Sequence, residues 1–327
     1  MSSDARRGTG SVMCALLLAN LAAWAWAATM LGAAPALLGA AVLAWTFGLR
    51  HGLDADHIVA IDVVTRRLMQ AGRAPGLVGL FFSLGHSTVV LLATLALVML
   101  PVPFWLERWH VAGGSFGMLV PAAFMLVAVM ANARMALWQW RALRQPAPLP
   151  PAPSTGFVSG RVGRWIGRSW QMYPLGFLFG LGFDTASEIG LLGMAAVHAH
   201  HGLGLAGVMA FPLLFTAGMA LVDTLDTLLM CRAYGWGMRS GRRAVAYDLG
   251  ISLVSLVAAA GIGAIELGQK VGDAGASVLT RGLMVAGDHF AALGAGIVLV
   301  FLALWGGAVV ISRRQANPVT PTRDKAG

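Results

Sequence analysis

The segment Arg50-His51-Gly52-Leu53-Asp54-Ala55-Asp56-His57 places two imidazoles, two carboxylates and a guanidinium at the end of an apolar run, Ala36 to Leu49. Ionisable groups at membrane depth cost roughly 2.5–3.5 kcal/mol each on insertion scales, so they persist where they pair, face water or hold a cation. Imidazole and carboxylate together form a ligand set suited to a divalent transition metal. Continued as one helix, at about 100° per residue, His51, Asp54, His57 and Arg50 share an arc of about 120°, with Asp56 turned away. Arg50 cannot bind a cation but can neutralise a carboxylate.

Three further segments carry ionisable groups inside apolar stretches. His86 lies about ten residues into a span that contains Phe81-Phe82-Ser83-Leu84-Gly85-His86-Ser87-Thr88. Asp184 and Glu188 in Gly182-Phe183-Asp184-Thr185-Ala186-Ser187-Glu188 are i, i+4, and Asp223 and Asp226 in Gly218-Met219-Ala220-Leu221-Val222-Asp223-Thr224-Leu225-Asp226 are i, i+3. Like charges at those spacings repel unless a cation, a proton or a basic partner sits between them. The reading therefore takes His51, Asp54, Asp56, His57, His86, Asp184, Glu188, Asp223 and Asp226 as the metal-binding set. His198, His200 and His201 read as a solvated loop, and Asp288 with His289 as a helix start. Cys14 and Cys231 read as small buried hydrophobes rather than thiolate ligands or a disulfide. The 16 methionines are scattered and form no cluster suited to copper(I).

The elements that must position these groups are helices in a bilayer. Of 327 residues, 57% are hydrophobic and 11% charged, against about 25% charged in soluble domains; mean hydropathy is +0.73. Eight apolar spans are expected, at about 12–34, 36–60, 76–100, 112–138, 172–197, 204–230, 245–267 and 288–311. The first run is long for the core of a signal peptide and right for a spanning helix. The 42 glycines suit close helix contacts.

The net charge of +9 is not read as a nucleic-acid footprint, because the basic residues occupy short loops. With the N-terminus inside, eighteen of them fall on the inner side, while the outer loops hold only Arg108, Lys270 and Arg281. That bias predicts cytoplasmic N- and C-termini. Residues 1–141 form an N-terminal half with four spans and 172–312 a C-terminal half with four. A Pro/Arg-rich cytoplasmic linker at 142–171 contains Pro146-Ala147-Pro148-Leu149-Pro150-Pro151-Ala152-Pro153, and 313–327 is a polar tail expected to be disordered. Gly52-Leu53-Asp54-Ala55 echoes Gly182-Phe183-Asp184-Thr185, which suggests an inverted repeat offset by three spans.

Taken together, four signatures resemble those of the nickel/cobalt transporter family of bacterial and fungal membranes. They are His51-x4-Asp56-His57, Phe-Phe-Ser-Leu-Gly-His-Ser-Thr at 81–88, Leu-Gly-Phe-Asp-Thr-Ala-Ser-Glu at 181–188, and Gly-Met-Ala-Leu-Val-Asp-Thr-Leu-Asp at 218–226, in the same order. The resemblance implies eight spans with both ends cytoplasmic and import of Ni²⁺, Co²⁺ or both. By position it assigns recognition to His51, Asp56 and His57. A straight helix turns Asp56 away from both histidines, so the resemblance requires either a distorted helix or an indirect role for Asp56. Tyr247-Asp248 departs from the family's usual Tyr-Asn.

The expected function is secondary import of Ni²⁺ or Co²⁺ across the cytoplasmic (inner) membrane by alternating access. The partners are the lipid bilayer and the transported ion; no tightly bound cofactor and no nucleic acid are expected. No Gly-x4-Gly-Lys-Ser/Thr motif is present, and so no ATP hydrolysis by this chain. The rivals are a divalent metal exporter, an intramembrane metalloenzyme, and proton or sodium transport without a metal. The acids are spread over several spans, as a conduit requires, which disfavours the enzyme.

Overall fold

A chain this apolar must satisfy its backbone hydrogen bonds internally, and the α-helix does so within one segment. In the computed structural model every regular element among the described residues is helical. The structure describes residues 3–32, 34–99, 103–145, 167–181, 203–237, 242–272, 282, 285–287 and 289–316. The helices are α1 (Ser3–Leu31), α2 (Pro35–His51), α3 (Ala55–Gln70), α4 (Val78–Met99), α5 (Pro103–Arg144), α6 (Met172–Gly180), α7 (Leu205–Val208), α8 (Ala210–Gly237), α9 (Arg242–Gly272) and α10 (Phe290–Ala316), with a 3₁₀ turn at Ser169–Gln171.

Six of these stretches are long and apolar enough to cross a membrane, and the bent pair α2–α3 makes a seventh. Of the expected span at 172–197, only α6 is described. The linker from residue 146 to 166, the tail from 317, and Asp184, Glu188, His198, His200, His201 and Asp288 lie outside the described residues.

The span expected at 36–60 is not one straight helix. It breaks at Gly52–Asp54, and α2 and α3 meet at 49°. Asp54 is the residue before α3, with extended backbone (φ −63°, ψ 142°). Aspartate favours that position because its carboxylate can accept a hydrogen bond from the first turn. Here no side-chain cap forms; the carboxylate is used elsewhere, as described below. Gly52 is helical in backbone, and the constraint on it is space: a Cβ there would lie 2.9 Å from the Val222 Cβ of α8.

The core around the break is built from α2, α3, α4, α6 and α8. Two of its helix crossings share one construction. Where α2 crosses α8, a Cβ on Gly48 would run into the Phe215 carbonyl, and a Cβ on Gly218 would lie 2.6 Å from the Trp45 carbonyl. Where α4 crosses α6, a Cβ on Gly176 would run into the Phe82 carbonyl, and one on Gly85 into that of Tyr173. Each crossing therefore pairs an aromatic-x-x-Gly step on one helix with an aromatic-x-x-Gly step on the other. Glycine is required because backbone meets backbone. α1 and α10 are covered least by the rest of the bundle, with 17% and 11% of their apolar windows buried, as expected of helices that face lipid. Cys14 lies exposed on α1, not buried as its apolar surroundings suggested.

Candidate metal centre

The break between α2 and α3 brings together what a straight helix would keep a turn and a half apart. His51 ends α2, and His57 lies in the first turn of α3. His86 approaches from the middle of α4. One ring nitrogen from each of His51, His57 and His86 can be chosen so that all three lie within 4.8 Å of one another. The ring centroids are 4.6, 4.8 and 5.0 Å apart. His57 is fully buried, His86 nearly so, and His51 partly exposed.

Two carboxylates stand behind these rings. Asp54 Oδ2 lies 2.7 Å from His51 Nδ1, and the Asp223 oxygens of α8 lie 3.4 Å from His57 Nδ1. A carboxylate only accepts, so the His51 Nδ1 donates, leaving its Nε2 lone pair to face the Nε2 of His86 at 3.1 Å. Among the described residues His57 Nε2, on the far side of that ring from Asp223, has no hydrogen-bond partner. Metal-binding histidines recur in this arrangement: the second nitrogen donates to a carboxylate, which fixes the tautomer and makes the ligand more basic. For a metal–imidazole bond of about 2.1 Å, adjacent ligand nitrogens should be about 3.0–3.4 Å apart. The observed 3.1 Å between His51 and His86 falls in that range.

Asp54 and Asp223 thus contact the histidines from outside the closely spaced group, which among the described residues consists of imidazoles alone. Asp56 does not join that group either. It is half-buried in the first turn of α3, and its Oδ1 has no hydrogen-bond partner among the described residues. Asp223 is also braced through α8: Thr227 donates to the Asp223 carbonyl at 3.0 Å and accepts from the Gly79 N–H of α4 at 2.9 Å. One turn on, Asp226 is 5% exposed, and among the described residues neither of its carboxylate oxygens has a hydrogen-bond partner. Asp62 and Asp223 are among its charged neighbours. Burying a carboxylate beside two others is costly unless a cation or proton is shared among them.

A second polar network lies beyond the expected end of the span at 36–60. Asp62 is fully buried and Arg66 is 8% exposed. Arg66 bonds Asp62 at 3.1 Å, Ser252 of α9 at 2.9 Å and Asn132 of α5 at 2.7 Å. Ser255 donates to Asp62 at 2.7 Å, and Tyr234 of α8 donates to its other oxygen. Arg66 is one of the eighteen basic residues that the loop charges assign to the inner side; without it the inner side still exceeds the outer by seventeen to three. The i, i+4 spacing of Asp62 and Arg66 was the available signal; partners on three other helices could not be read from it. Arg50, by contrast, is exposed.

The order of motifs now has a geometry, and comparison with known proteins accounts for it. Residues 37–311 match the family described as high-affinity nickel-transport protein, NicO. The chain belongs to the NicO family. Among its relatives, the hydrogenase nickel incorporation protein HupN of Bradyrhizobium diazoefficiens is 41% identical over 91% of this chain and 82% of its own length. A high-affinity nickel transport protein of Cupriavidus necator is 38% identical over 91% and 90%. The cobalt transport protein NhlF of Rhodococcus rhodochrous is 33% identical over 86% and 84%. No solved structure matches the chain. As a NicO protein whose described residues include six helices long and apolar enough to cross a membrane, this is a multi-pass membrane transport protein rather than an enzyme.

Proposed function

We propose that this NicO protein imports Ni²⁺ or Co²⁺ across the cytoplasmic membrane through the three-histidine centre at the α2–α3 break. The observation that carries the reading is the convergence of His51, His57 and His86 from three helices, two of them backed by carboxylates. His51, His57 and His86 bind the ion, and Asp54 and Asp223 orient His51 and His57. Asp226 offers a negative station one turn further along α8. Asp56 acts on the ion through its neighbours, and Asp184 and Glu188 extend the path on the strength of their spacing. Nitrogen ligands favour nickel and cobalt over magnesium, which prefers oxygen. The relatives' names, nickel and cobalt transport proteins, support the same cargo.

Both termini lie in the cytoplasm, and the two halves are related by an inverted repeat. The loop charges support the first statement. The second is supported by the two matching glycine crossings, since exchanging α2 with α6 and α4 with α8 turns one crossing into the other. Such repeats in transporters place the binding site near the bilayer midplane.

The test is uptake of ⁶³Ni²⁺ into proteoliposomes, with Co²⁺, Zn²⁺ and Mg²⁺ as competitors and the pH gradient varied. Saturable uptake that Co²⁺ inhibits and Mg²⁺ does not is the expected result. Flux no greater than in protein-free vesicles would overturn the reading. Net efflux from metal-loaded cells that express the protein would make it an exporter.

A further inference from the structure

Two phenylalanines touch the histidine centre, one at each end, and they occupy matching places in the two glycine crossings. Phe82 presents an edge-to-face contact to His57, with centroids 4.9 Å apart and planes at 88°. Phe215 leans on His51 at 5.6 Å and 39°. They are 0% and 1% exposed. Phe82 is the residue whose carbonyl receives Gly176 of α6, and Phe215 the residue whose carbonyl receives Gly48 of α2. The local sequences correspond as well: Phe82-Ser83-Leu84-Gly85 against Phe215-Thr216-Ala217-Gly218.

The rings lie on opposite sides of the centre. Phe82 is four residues before His86, which at about 1.5 Å per residue puts it about 6 Å towards the start of α4. Phe215 is eight residues before Asp223, about 12 Å towards the start of α8. In the topology proposed above α4 starts at the inner face and α8 at the outer face. α2 and α3 run inwards, so His51 is the outer histidine and His57 the inner one. Phe215 thus covers the outer histidine and Phe82 the inner.

A dehydrated dication cannot be reached by water from both faces at once without leak. Closure by an apolar ring against each end of the site meets that need, and a ring whose own backbone forms a glycine crossing moves when that crossing slides. Phe82 has a further aromatic column behind it, Phe179 at 5.2 Å and then Phe124 at 5.8 Å from Phe179. We infer that Phe215 and Phe82 are the outer and inner lids of the metal site, and that they open in alternation as the α2–α8 and α4–α6 crossings shift. The inference rests on the histidine centre being the transport site.

The test reads access, not transport. A thiol is placed at the centre by His86→Cys in a Cys14→Ser, Cys231→Ser background, and a membrane-impermeant methanethiosulfonate is applied from one face of proteoliposomes or from the other, without metal. Phe215→Ala is expected to raise the labelling rate from the outer face and Phe82→Ala from the inner face, each by about three- to tenfold. Phe→Leu variants at the same positions keep an apolar side chain and serve if an alanine variant fails to insert. Acceleration from the same face in both variants, acceleration from the reversed faces, or no change in either would overturn the proposal. Because labelling is measured without metal, failure of the histidines to bind nickel is a separate result, read by nickel binding to the unmodified chain.

Discussion

His51 Nε2 faces His86 Nε2 at 3.1 Å, across the gap between the end of α2 and the middle of α4. Two imidazoles so placed cannot both be protonated without strong repulsion, and one shared electrophile satisfies both. His86→Ala is expected to abolish saturable nickel binding. The loss should exceed the roughly 10–100-fold that follows from disturbing a supporting residue. Equilibrium binding to detergent-purified protein checks this, with thermal unfolding confirming that the variant is folded.

Asp54 gives up a helix cap to hold His51 at 2.7 Å. Asp54→Asn keeps the size and removes the charge. Metal affinity should fall by about 10–100-fold with little change in stability, because no cap is lost. Titration against a competing chelator dye measures the first, and a melting curve the second.

Protons and metal compete for the same nitrogens. A histidine must be neutral to ligate, so binding releases protons and strengthens as pH rises. Affinity should therefore increase from mildly acid to neutral pH. Nickel binding that is independent of pH across this window would argue against ligation by imidazole. Calorimetry in buffers of different ionisation enthalpy counts the protons released.

Arg66 and Asp62 form a buried pair that ties α3 to α5, α8 and α9. Removing one partner strands the other, so Arg66→Met should destabilise by about 3–5 kcal/mol, and Asp62→Asn combined with Arg66→Met by less than the sum of the two single changes. Unfolding of the three variants in a mild detergent provides the cycle.

The two glycine crossings should respond alike. Gly48→Ala and Gly176→Ala each push a methyl into a facing carbonyl, at a cost of about 1–3 kcal/mol. A control at Gly39 of α2, where a Cβ meets nothing within 4 Å, should be near neutral. Melting temperatures of the purified variants decide this.

The sequence by itself determined the solvent, the helical class and the chemistry. Burying His51, His57, His86 and Asp223 in apolar runs is expensive unless a cation repays it, and that holds whatever the tertiary arrangement. It also pointed to the four motif segments, because their spacing is local. What only the tertiary structure decided is which groups meet. A straight span would have put His51, Asp54 and His57 on one arc as equals. The break at Gly52–Asp54 instead turns Asp54 back onto His51 and points the imidazoles at His86. Asp223 became a support for His57 through a contact 166 residues away in sequence. Arg66, which its position alone places with the inner-side charges, lies in the interior because its partners lie on helices that no local pattern links to it. Periodicity reports the face a residue occupies on its own helix; the neighbour across that face is set by how backbones approach, and here glycines at the helix crossings set that approach.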